Sequence, residues 1–216
     1  MSMLTSLLLF VACSSEIDTK PAAEVKEVAP NKPEMTKPVA KVPADAKKMA
    51  VKPVAPAVPE GGIALSPESK VEFIGAKVTG DHRGGFKTVT GYATVADGKV
   101  SAVQMDIDMT SVYADDFPYA EKFVSHLKDE DFFHVAQFPK ATFKSTSIAD
   151  GKITGVFDMR GVQKEITFDA TITDAAPYSL KAEFTINRKL WGIEYAGKAD
   201  DLIKDDVAII ANLTFK

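Results

Sequence analysis

Alternation with a period of two residues constrains this chain more than any other feature. Between Val100 and Thr110, Val103, Met105, Ile107 and Met109 alternate with Gln104, Asp106 and Asp108. Every second side chain can then be buried while its neighbours meet water, as in a half-buried strand. The rhythm returns in Ile166, Phe168, Ala170 and Ile172, in Leu180, Ala182, Phe184 and Ile186, and in Val207, Ile209, Ala211, Leu213 and Phe215. Asp97-Gly98 and Asp150-Gly151 are hairpin signals, and Ala176-Pro177 marks a further turn. Strands are expected near 70–79, 85–96, 99–110, 140–149, 152–160, 164–174, 178–187 and 205–216. Eight such antiparallel strands form a barrel or a two-sheet sandwich, and alternation serves both. In a barrel of that size the lumen is either filled by side chains or holds one small ligand.

One block interrupts the strands. Ser125 to Phe133 (SHLKDEDFF) joins a charged turn to two adjacent aromatics and leads into Phe138-Pro139 and a further strand. Upstream of it, after Pro118, Tyr119, Phe123 and Leu127 recur at four-residue spacing, which predicts a short helix within 113–128 that caps one end of the strands. Adjacent residues of a strand face opposite ways, so Phe132 and Phe133 fit a helix end or turn that closes the same end, either as core plug or as ligand wall. Met105, Ile107, Met109, Phe143, Phe157, Met159, Phe168, Phe184 and Ile186 supply inward bulk. Methionine and phenylalanine suit a lumen that adapts to a flexible chain, and they equally suit a packed core.

The first sixty or so residues read differently. Leu4 to Ala12 is an apolar run too short to span a bilayer and ends in a small residue before Cys13, the only cysteine of the chain. This resembles a bacterial lipoprotein signal peptide spanning residues 1–12. The resemblance implies cleavage before Cys13, acylation of Cys13, and, with Ser14 next, retention at the outer membrane. A lone cysteine also excludes an internal disulfide. From Glu16 to Gly62, eight of the twelve prolines fall among Ala, Lys, Val and Glu. Proline denies hydrogen bonds to helix and ladder alike, so a disordered linker is expected over 13–62. Such a tether reaches roughly 35–40 Å as a flexible coil. Residues 63–216 then make one domain, within the usual single-domain size.

Charge narrows the partners. The chain carries a net charge of -4, and residues 1–62 hold eight Lys against seven Asp or Glu, so the acidity lies in the folded part. An acidic domain without clustered Lys and Arg is not expected to bind nucleic acid. His82, His126 and His134, with Asp81, Asp129 or Asp131, are metal-ligand types, but their spacing has no HExxH-like signature. There is no nucleophile elbow and no phosphate-cradling loop. Gly80-Asp81-His82-Arg83-Gly84-Gly85 reads as a turn between strands, Arg160-Gly161 as a hairpin turn, and Arg188 as a strand-end residue paired with an acid. Arg160 and Arg188 are also candidates for an anionic lipid head group. No catalytic residue, metal or cofactor is expected.

Five segments in order add a family resemblance: FKTVTG from Phe86, SHLKDEDFF from Ser125, FPKATFKS from Phe138, Thr154-Gly155 with Arg160-Gly161-Val162-Gln163-Lys164, and NRKLWGI from Asn187. Together they resemble the YceI-like family of periplasmic lipid-binding proteins over nearly all of the chain after Lys70. The resemblance implies an all-β, antiparallel, eight-stranded lipocalin-like barrel, with an apolar cavity that takes a polyisoprenoid or quinone-like lipid for carriage or sequestration. Gln163, Leu190-Trp191 and His134 depart from the family pattern, and Trp191 joins the candidate lipid-binding residues near the cavity mouth. The expected partners are an apolar lipid and, through Cys13, a membrane; a homodimer stays open. The expected place is the bacterial envelope, facing the periplasm, or the exterior if Cys13 is not acylated. Two alternatives stand beside this reading. One is a metal-assisted hydrolase or redox protein using the three histidines. The other is an envelope interaction module with a filled barrel that acts through Asp200, Asp201, Asp205 and Asp206.

Overall fold

A computed structural model describes residues 15–28, 57–115 and 118–216. The expected signal peptide, Cys13 and the linker over 29–56 lie outside the described residues. The alternating segments form antiparallel strands. In chain order these are β1 (Glu24–Glu27), β2 (Gly62–Ala64), β3 (Lys70–Lys77), β4 (Gly80–Phe86), β5 (Val89–Ala96), β6 (Lys99–Asp108) and β7 (Val112–Ala114). After helix α1 (Ala120–Lys128) come β8 (Lys140–Ala149), β9 (Lys152–Met159), β10 (Val162–Asp169), β11 (Thr171–Thr173), β12 (Tyr178–Asn187), β13 (Gly197–Lys198) and β14 (Asp201–Phe215). One sheet runs β1-β10-β9-β8-β6-β5-β2 and the other β11-β12-β14-β3-β4-β7, with β13 paired to β14. The architecture is all-β and lipocalin-like, and all eight expected strands are present. Asp97-Gly98, Asp150-Gly151 and Arg160-Gly161 all have positive φ at both residues, the backbone of tight hairpin turns that match strand twist.

Two segments depart from expectation, as does Tyr119 ahead of α1. The segment read as a turn, Gly80 to Gly85, is most of β4 and pairs with β3 in the register Gly75↔His82 and Phe73↔Gly84. Its glycines suggest a turn by composition, yet at Gly84 an added Cβ would meet the Tyr113 carbonyl oxygen at 2.4 Å and the Phe73 ring at 2.6 Å. Glycine is there for close approach within the sheet. The second failure is the linker: Glu16–Thr19 form a 3-10 turn and β1 pairs with β10, so these residues add nothing to a tether's reach. The stretch between Pro21 and Pro30 has no proline, so its N–H groups are free to join a ladder.

That N-terminal segment stitches one seam between the sheets. Ala22 bridges to Thr185 of β12, with Ala23 N–H donating to the Thr185 carbonyl at 2.9 Å and Thr185 N–H donating to that of Pro21 at 2.8 Å. At the other seam Leu65, after β2, bridges to Phe215 at the end of β14. Inward residues of both sheets make one core, including Val103, Phe143, Ile166, Phe184 and Leu213. On the outside of β3 and β14, Ile17 is buried with Ile74, Ala76, Ala208 and Ile210 in a second, small cluster.

Helix α1 covers one end. Leu127 is buried and Phe123 half-buried, but Tyr119, expected on the same face, stands 74% exposed at the N-cap, ahead of the first helical turn. After Lys128 the chain turns back, and the N–H groups of Phe132, Phe133 and Val135 donate to the carbonyls of Asp129, Leu127 and Lys128. These bonds satisfy carbonyls that a helix C-terminus leaves open.

Candidate binding cavity

The interior is not filled. A cavity of about 290 Å³ lies between the sheets and beneath α1, lined by residues of both sheets, the helix and the turn after it. Alternation builds this wall: Met105 and Ile107 come from β6, Phe143 from β8, Phe157 and Met159 from β9, Phe168 from β10, and Phe184 and Ile186 from β12. Met109, in the 3-10 turn after β6, and Phe132 and Phe133 complete the set of expected residues that line it. Trp191 does not. It is wholly buried behind the wall, its ring 5.5 Å from that of Phe157 and its indole N–H donating to the Phe157 carbonyl at 3.4 Å. Trp191 therefore props a wall residue, since the 3-10 turn Arg188–Trp191 carries the chain away from the lumen after β12.

Rings set the shape. Phe168 and Phe184 stack at 4.2 Å across the two sheets, and Phe143 lies 5.7 Å from Phe168. The Phe143 ring occupies the space beside Gly155 of the neighbouring strand, where a Cβ would come within 2.5 Å of it. Nearer the helix, Phe73, Phe86 and Phe133 meet at centroid distances of 6.0–6.4 Å. Arg160 anchors the turn that presents Phe132 and Phe133. Its Nη1 donates to the carbonyls of Phe132 and Glu130, so its guanidinium is engaged in holding that turn.

The polar side chains on the wall are Lys77, His82, His126 and Arg188, and among the described residues no carboxylate lines it. Lys77 pairs with Asp201, which this hydrogen bond holds below the usual carboxylate range. Burial, with help from the Lys77 charge, pushes the His82 imidazole below its ordinary pKa, against the opposing charges of Asp201 and Asp81. His82 also packs against Phe123 at 5.1 Å. His126 Nε2 lies 3.0 Å from Asp131, with its ring edge-on to Phe132 and Tyr195. Arg188 is 3% exposed. Burial lowers its pKa, and the charge of Asp205 opposes that shift.

The three histidines are not brought together as a metal site. His134 sits in the turn with φ 48° and faces Phe138, and among the described residues no group of three His, Cys, Asp or Glu is placed to hold a metal ion. Of the acids named as an interaction surface, Asp201 and Asp205 are engaged by Lys77, Lys189 and Arg188. Sequence reasoning missed Phe73, Phe86, Phe123, Lys77 and His82 as wall residues. For two of them the signal was present, because His82, Gly84 and Phe86 alternate with Asp81, Arg83 and Gly85 once β4 is read as a strand.

Comparison with known proteins agrees with this architecture. The profile of the YceI-like domain matches residues 65–215. A UPF0312 protein of Shewanella denitrificans is 41% identical over 83 residues, which are 36% of this chain and 40% of that protein. A UPF0312 protein of Staphylococcus aureus is 30% identical over 79 residues, 33% of this chain and 46% of its own length. The matched stretch thus spans less than half of these relatives. Among solved structures, BcnA of Burkholderia cenocepacia superposes with a TM-score of 0.61 at 22% identity, covering 69% of this chain and 98% of BcnA. A polyisoprenoid binding domain from Saccharophagus degradans superposes with a TM-score of 0.59 at 16% identity, covering 72% of this chain and 98% of that domain. With the profile matched across the whole span from β3 to β14, the chain belongs to the YceI-like family.

Proposed function

We propose that this protein binds a long apolar lipid, polyisoprenoid or quinone-like, between its sheets and carries or sequesters it in the bacterial envelope, as a binding protein and not an enzyme. The observation that carries the reading is the cavity of about 290 Å³ whose wall, apart from Lys77, His82, His126 and Arg188, is made of apolar side chains and the backbone of Gly75. Each methylene that leaves water contributes about 0.8 kcal/mol, so a prenyl or acyl chain needs few polar contacts to bind. The likeness in fold to a polyisoprenoid binding domain supports the same class of ligand. Protein purified without detergent from its native envelope is expected to carry a defined lipid mass in native mass spectrometry. Repeated preparations without bound lipid overturn the reading.

The membrane partner in this proposal is reached through acylated Cys13, on the periplasmic side of the outer membrane. Ser15 donates from its hydroxyl to Asp81 at 2.9 Å, so an anchor at Cys13 would sit two residues from the folded domain rather than at the end of a long tether. Labelled palmitate is expected on the wild-type protein and absent from Cys13→Ala. Equal labelling of both removes the anchor from the proposal.

A further inference from the structure

We infer that Arg188 is a head-group anchor: its Nη2 donates to an oxygen acceptor at the polar end of the bound lipid, which enters tail-first and keeps its head beneath α1. The inference rests on the lipid-binding reading above and adds the chemistry and direction of the ligand.

Arg188 is buried, lines the cavity, and has two of its three nitrogens committed. Nε donates to the Lys204 carbonyl at 3.1 Å and Nη1 to the Ile193 carbonyl at 2.6 Å. The first acceptor is available because the β3–β14 register shifts between Ile203 and Val207, which takes Lys204 off the ladder. Nη2 is buried and, among the described residues, has no hydrogen-bond partner. Its nearest carboxylate oxygen, on Asp205, is 3.6 Å away, too far for a hydrogen bond, and that carboxylate pairs with Lys189 at 2.9 Å. A guanidinium has five N–H donors and no acceptor, so whatever satisfies Nη2 must bring an acceptor. A buried donor left unpaired is costly, which makes this atom a point of recognition and not a spectator.

The position of Arg188 sets the direction. It follows the end of β12, beside the start of β14, the end of β3 and the start of β4. His82 and Lys77 belong to that same end, and His126 to the helix over it. At the opposite end of the same strands the wall is Val71, Leu180 and Leu213. At one end the wall therefore offers nitrogen donors, with Asp201 and Asp205 off the wall and engaged by Lys77 and Lys189, and at the other it offers only hydrocarbon. A ligand that matches both is an amphiphile with one long apolar chain and a head bearing a carbonyl, carboxylate or similar oxygen.

The test uses three C16 probes delivered from cyclodextrin to the delipidated full-length protein: palmitate, an anionic acceptor; methyl palmitate, a neutral acceptor; and hexadecane, with no acceptor. Affinities are read by displacement of an apolar fluorescent dye. Both acceptor-bearing probes are expected to bind about ten-fold or more tighter than hexadecane. In Arg188→Met that preference is expected to vanish, so that the three probes bind alike. Because Arg188 also braces two carbonyls, a second measurement needs no variant: the Arg188 side-chain 15N–1H signals are expected to shift with palmitate and methyl palmitate and not with hexadecane. A preference for palmitate alone narrows the head to an anion, and an equal preference for both assigns it to any oxygen acceptor; either supports the inference. Equal binding of all three probes with unmoved Arg188 signals overturns it and leaves lipid binding standing. Failure of all three to displace the dye overturns both readings.

Discussion

Ile209 and Ile210 are neighbours in β14, yet Ile209 faces the cavity while Ile210 faces outward, under Ile17 of the N-terminal segment. The same pair of strands, β3 and β14, is thus apolar on both sides. Outside, the chain closes the surface with its own residue: Ile17, at 3% exposure, packs with Ile74, Ala208 and Ile210. Inside, Phe73, Val207 and Ile209 border open space that no side chain of the described residues fills. Atoms facing a void forgo the dispersion contacts that a close-packed interior supplies. The outer face is consequently a finished piece of core, and the inner face is a surface that a ligand would finish.

Truncating each isoleucine in turn puts that difference to its largest test. Ile210→Ala is expected to cost about 2–5 kcal/mol in urea denaturation, the range for emptying a packed site. Ile209→Ala only enlarges an existing cavity, so its cost is expected to be about half of that or less, with a change in lipid affinity that Ile210→Ala does not produce. Equal losses from the two substitutions would mean that the inner face is packed like the outer one.

The parts of this contrast differ in how far they can be read from sequence. The cavity wall is legible because alternation assigns a face to every residue of a long strand, and Met105, Ile107, Phe143, Phe168 and Phe184 follow from that rule alone. Gly80 to Gly85 hides β4 because turn composition and close backbone approach use the same residue type. Ile17 is hidden by its surroundings: averaged over a Pro-rich segment, one isoleucine and one short strand leave no periodicity, and their partners on β3, β10, β12 and β14 are distant in sequence. Arg188 was legible as a strand-end residue with an acidic partner. Its unpartnered Nη2 depends on where Ile193, Lys204 and Asp205 fall in three dimensions, and no local pattern encodes that.

A smaller effect follows from Ile17 itself. Ile17→Ala removes part of a buried side chain from a segment that can lift away locally, so its cost is expected to be about 2 kcal/mol at most. Limited proteolysis is then expected to cut within residues 15–28 faster than in the wild type, while the affinity for palmitate is unchanged. Loss of palmitate binding in this variant would show that the outer cluster and the cavity are one unit.

Acid is expected to separate the two faces most gently. Asp18 accepts from Lys204 Nζ at 2.7 and 2.8 Å, and this bond holds its carboxyl below the usual carboxylate range. A carboxylate whose pKa is lower in the docked state favours docking above its ordinary pKa, and that contribution disappears as pH falls through the lowered value. The pair is exposed and sensitive to salt, so the expected change is only a few-fold in hydrogen-exchange protection between pH 6 and pH 3. It should appear at the amides of Lys20 and Ala23, which donate to the carbonyls of Ile17 and Thr185, before any change in β8 or β14. The cavity wall has no carboxylate among the described residues, so it holds no counterpart of the Asp18–Lys204 pair. Asp18→Asn is expected to reproduce the loosening at pH 7 and to flatten the pH dependence. If the amides of Lys20 and β14 lose protection together, the outer segment is not a separately docked unit, and the two faces of the sheet answer to one transition.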